Sequence, residues 1–78
     1  MANAAKILAG MRSNPRDWRI EDLKVLAHHL GIEYRQHGTS HVAFRCDVGI
    51  LSVPAARPIK PIYVRRFLAL VDMLKEAK

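Results

Sequence analysis

Apolar residues recur along this chain with a helical period at its start, with a period of two in its middle, and with a helical period again at its end. In "NAAKILAGMRSN", Ile7, Leu8 and Met11 sit at helical spacing and Asn14-Pro15 breaks the pattern, which predicts a short first helix. A second helix follows "PRDW": Asp17 is the expected cap, Ile20, Leu23, Leu26, Ala27 and Leu30 return about every 3.6 residues, and Gly31 is the expected stop. Trp18 and Val25 lie off that stripe and offer the first helix an apolar surface to pack against. The first segment is therefore expected to fold onto the rest.

From Ile32 the period becomes two. "IEYRQ", "HVAFRC" and "GILSV" alternate, with turn chemistry in "HGTS" and "DVG" between them, which predicts three short antiparallel strands. Pro54, Pro58 and Pro61 then punctuate a basic loop, and Pro61 can open the last helix because its missing amide proton would have no partner in the first turn. Val64, Phe67, Val71 and Leu74 form that helix's central stripe, Leu68 and Leu70 flank it, and Arg65, Asp72 and Glu76 fall opposite. The order predicts an α+β two-layer sandwich, a three-stranded antiparallel sheet with the helices on one face. Residues 1–78 read as one domain, with 3–14 as an N-terminal helical extension and 18–77 as the core.

Charge adds a partner to this picture. Thirteen Lys plus Arg against seven Asp plus Glu leave a net charge of +6, a balance suited to a polyanion such as nucleic acid. A chain of 78 residues buries only about 60% of its unfolded surface, so it gains from a partner or an economical core. The one cysteine, Cys46, excludes an internal disulfide, leaves a Cys-rich zinc site without ligands and fits a reducing cytoplasm; it reads as a small core residue. No apolar run reaches the ~20 residues of a membrane span, and residues 1–10 lack the features of a signal peptide, so the expected location is the cytoplasm, away from membranes.

Candidate chemistry concentrates in "QHGTSHVAF", residues 36–44. Val42, Phe44 and Cys46 share one strand parity and are expected to face the helices, so His41, Ala43 and Arg45 face water. Taken alone, His41 could be an exposed turn histidine with no duty. His28 and His29 lie off the apolar stripe of the second helix and read as solvated surface.

Gly38-Thr39-Ser40-His41 before an apolar strand, Val53-Pro54 closing the third strand, Lys60 in the following loop and a final amphipathic helix together resemble the HicA family of messenger-RNA interferase toxins. The resemblance covers about Ile20 to Leu74. In this chain Thr39 separates Gly38 from Ser40, Val42 follows His41 where the family has a further histidine, and an extra helix precedes the usual start. It implies a fold similar to double-stranded-RNA-binding domains, a metal-independent endoribonuclease activity on messenger RNA, no cofactor, and silencing by a HicB-type antitoxin. His41 matches the family's catalytic histidine.

Cleavage of this kind uses the neighbouring 2′-hydroxyl as nucleophile and needs a base at that hydroxyl, charge stabilisation at the phosphate and a proton for the leaving oxygen. Histidine suits the base role because its ordinary pKa of about 6.5 leaves both protonation states populated near neutrality. Expected helpers are Arg45, His37 and Lys60; Arg57, Lys60, Arg65 and Arg66 form a candidate RNA-binding patch around the start of the last helix, or an ordinary charged helix start. Gly38, Thr39 and Ser40 are expected to shape the turn. A noncatalytic RNA-binding module of the same fold and a small protein-interaction domain are the alternative readings.

Overall fold

The computed structural model describes residues 4–38, 40–55 and 58–76, with His37 described for its backbone alone. Six elements follow in order: α1 (Ala4–Ser13), α2 (Ile20–Leu30), β1 (Glu33–His37), β2 (His41–Cys46), β3 (Gly49–Pro54) and α3 (Pro61–Glu76). The expected α+β layout is the one observed.

Local chemistry sets the helix ends. Asp17 does not cap α2; it takes a left-handed conformation, φ 65°, one that Asp tolerates better than most residues. The cap falls two residues later, where the Arg19 backbone N–H donates to Asp22 Oδ2 at 3.0 Å. At the other end Gly31 has φ 74°, and its N–H and that of Ile32 donate to the carbonyls of His28 and Ala27. Both orphan carbonyls are thereby satisfied in a Schellman motif, and Ile32 buries its side chain beside it. Pro61 is the first residue of α3, as its fixed φ and missing donor favour.

The sheet is a meander, β1-β2-β3, antiparallel throughout. One face is the core: Val42, Phe44 and Val53 are fully buried, and Phe44 meets Phe67 of α3 edge-to-face with centroids 5.1 Å apart. α2 packs against β1 and α3 against β3. α1 lies across α2 and α3, where it buries Ile7 and Met11 in the same cluster.

Two contacts fasten α1. Gly10 lets it approach Trp18 closely, since a Cβ there would come within 2.9 Å of the indole, whose Nε1–H donates to the Asn14 carbonyl. Arg12 forms a bidentate pair with Asp72 of α3, at 2.6 and 3.3 Å. Trp18 thus supplies the expected surface, whereas Val25 does not: it remains 37% exposed on α2.

Candidate active site

The second face of the sheet is uncovered, and alternation along each strand decides what stands on it. His41 and Arg45 are exposed and Ala43 is half-buried, between the buried Val42 and Phe44. Register arranges this face in three rows across the strands: His41 and Pro54, with the backbone of His37 opposite His41; Arg35, Ala43 and Ser52; Glu33, Arg45 and Ile50.

The His41 row lies at the end of the sheet where the β1–β2 turn sits. Gly38 has φ 63°, a left-handed conformation that glycine adopts without strain. Thr39 lies outside the described residues, as do Arg57 and the side chain of His37; the backbone register places His37 opposite His41. The Ser40 carbonyl accepts the backbone N–H of Ala55 at 2.8 Å, which ties the turn to the end of β3.

Ser40 also meets the histidine itself, with its Oγ 3.0 Å from His41 Nδ1. A hydroxyl both donates and accepts, so it can partner this nitrogen in any protonation state. When Nδ1–H donates to Ser40, the proton-free nitrogen is Nε2. After Nε2 takes a proton, Nδ1 still donates to the same oxygen. The serine therefore orients the ring through a full proton cycle without opposing either step.

Arg35 is the residue that strand parity within β2 alone does not reveal. It pairs with Ala43 and is thus the diagonal neighbour of His41, with Cα atoms about 7–8 Å apart by ordinary sheet geometry. Arg45 lies four residues along β2, about 14 Å from His41 at a rise of about 3.4 Å per residue, so it serves a different part of any extended ligand. Among the described residues neither arginine makes an ion pair. The two flank a shallow groove of about 710 Å³ lined also by His28, Glu33, Ala43 and Ile50.

Lys60 is exposed and caps α3 with its carbonyl, which accepts the Tyr63 N–H at 2.9 Å. Arg65 and Arg66 are exposed on α3, in the helical layer, and the Arg66 guanidinium sits 5.9 Å from the centre of the Tyr63 ring. The first turn of α3 carries no acidic residue. The cationic residues named from sequence thus divide: Arg45 stands on the open sheet face, Arg65 and Arg66 on α3. His28 and His29 are exposed as expected, although His28 also borders the groove. Cys46 is half-buried against the core.

Among the described residues no three His, Cys, Asp or Glu side chains gather as metal ligands would, and no helix is long and apolar enough to cross a membrane. No protein-family model, curated protein or solved structure significantly matches this chain.

Proposed function

We propose that this chain is a metal-independent endoribonuclease of the HicA type, a toxin acting on messenger RNA in the cytoplasm and held silent by a HicB-type antitoxin. The observation that carries this reading is the exposed His41 ring with Ser40 Oγ 3.0 Å from its Nδ1. With Nδ1–H donating to Ser40, Nε2 accepts the proton of a 2′-hydroxyl, and the 2′-oxygen forms a bond to the adjacent phosphorus. The bond to the 5′-oxygen breaks, leaving a 2′,3′-cyclic phosphate. Water at this open face protonates the departing oxygen, and His41 returns its proton to solvent.

Arg35 is the cation assigned to the reacting phosphate, by its diagonal position beside His41. A second reading, a noncatalytic RNA-binding module, is favoured by the distance of Arg45 from His41. The two separate on a long single-stranded RNA incubated with EDTA. The nuclease reading expects cleavage by the wild type and a loss of about 10²–10⁴-fold in His41→Ala at unchanged melting temperature. Salt-sensitive binding with intact RNA recovered from both proteins would replace it with the binding module. The antitoxin reading is tested by co-expression: an antitoxin partner restores growth in cells that express this chain.

A further inference from the structure

The groove at the far end of the open face has an unusual wall. Ile50 is 69% exposed, the most exposed large apolar residue among the described residues, and it pairs in register with Arg45, which in turn pairs with Glu33. Packing does not account for an isoleucine there, because the core lies on the opposite side of the sheet. Beside it the half-buried Ala43 keeps the floor low between Arg35 and Arg45, and neither arginine is neutralised by an ion pair among the described residues. An apolar wall, a low floor and two free guanidiniums suit a ligand that joins a flat apolar ring to phosphates. Glu33 adds an acceptor suited to an exocyclic amino group.

We propose that this groove is a subsite for an unpaired nucleotide of single-stranded RNA, set off from His41 along β2. The base lies against Ile50 and Ala43, and the phosphates on its two sides engage Arg35 and Arg45. The strand therefore runs along β2, with its reacting linkage at His41 and this nucleotide in the groove. A base in a duplex has its faces covered by stacking and its pairing edge occupied, so the subsite selects against paired RNA. This inference rests on the nuclease reading for the direction of the strand, and its test separates the two.

The probe is a fluorescent hexanucleotide with 2′-O-methyl groups throughout, which has no free 2′-hydroxyl to attack. Arg35→Ala and Arg45→Ala should each weaken its binding by about tenfold or more. Each should also reduce the slope of log affinity against log salt by about 0.7, the effect of losing one phosphate contact on a single strand. Ile50→Ser should weaken binding with the salt slope unchanged, Lys6→Ala on α1 should change neither, and a duplex of the same sequence should bind more weakly. A dinucleotide, too short to reach from His41 to Arg45, should not distinguish Arg45→Ala from wild type. Unchanged affinity and slope in both arginine variants, from a wild type that binds and cleaves RNA, would overturn the subsite and leave the nuclease reading standing. Equal binding of duplex and single strand would overturn the selection for an unpaired base. A wild type that binds no RNA would overturn both.

Discussion

The two faces of the sheet are built from alternate residues of the same strands and obey different rules. On the inner face Val42, Phe44 and Val53 are fully buried against α2 and α3, so volume and shape decide which side chain fits. On the outer face His41 and Arg45 stand in solvent and Ile50 is largely exposed, where packing imposes no such demand. A residue freed from packing can be chosen by what it binds. The inner face accounts for the fold, and the outer face carries the site proposed above.

Substitutions that cross this division should separate stability from activity. The largest effect belongs to Phe44→Ala, which removes a fully buried ring stacked edge-on to Phe67; a loss of about 3–5 kcal/mol is expected, read by denaturant unfolding. For a chain this small that is a large share of the total stability, so activity falls with the fold. One residue away in parity, Arg45→Ala should leave the unfolding curve in place and change only RNA affinity. A large stability loss in Arg45→Ala would break the comparison.

Ser40→Ala sharpens it at the His41 end. Loss of the single hydrogen bond to Nδ1 should lower kcat about three- to tenfold, a net worth of about 0.5–1.5 kcal/mol. Ser40→Thr retains a hydroxyl and should restore most of the rate. An unchanged kcat in Ser40→Ala would remove Ser40 from the orienting role.

Gly10→Ala probes the helical layer. The added methyl would meet the Trp18 indole at 2.9 Å, and the expected overpacking cost of about 1–3 kcal/mol exceeds or offsets the roughly 1 kcal/mol gained from helix propensity. A net loss of about 1 kcal/mol is expected, with RNA cleavage at saturating substrate unaffected.

The smallest effect is that of Asp72→Asn. The hydrogen bond from Arg12 holds the Asp72 carboxyl below its ordinary range, and the same bond raises the Arg12 pKa, so the guanidinium stays charged throughout. A carboxyl lowered in the folded state stabilises the fold above its unfolded pKa, and that contribution disappears as pH falls through the folded value. Both partners are well exposed, so the effect is small and screened by salt. Melting curves of wild type and Asp72→Asn should differ slightly at neutral pH and converge in strong acid or high salt.

Much of the architecture was legible from residue order. The change of period at Ile32 marked the passage from helix to strand, Gly31 marked the end of α2, and Pro61 marked the start of α3, because each acts through its own backbone or near neighbours. Strand parity likewise placed His41 and Arg45 on one face and Phe44 on the other. The cap of α2 was misread for a reason of the same local kind: Asp17 and Asp22 are both able to cap, and only the path of the chain shows that Asp17 turns left-handed while Asp22 reaches back to Arg19.

What residue order could not supply were the relations between segments far apart in the chain. The position of Arg35 beside His41 follows from the β1–β2 register, and the row from Glu33 through Arg45 to Ile50 requires both ladders at once. Arg12 finds Asp72 sixty positions away, and α1 settles over α2 and α3 because Met11 fills the space they leave. Periodicity within one element reports which side is apolar and is written in a few consecutive residues. Which element meets that side, and at what register, depends on how all the apolar sides fit together, and only the assembled tertiary structure decides it.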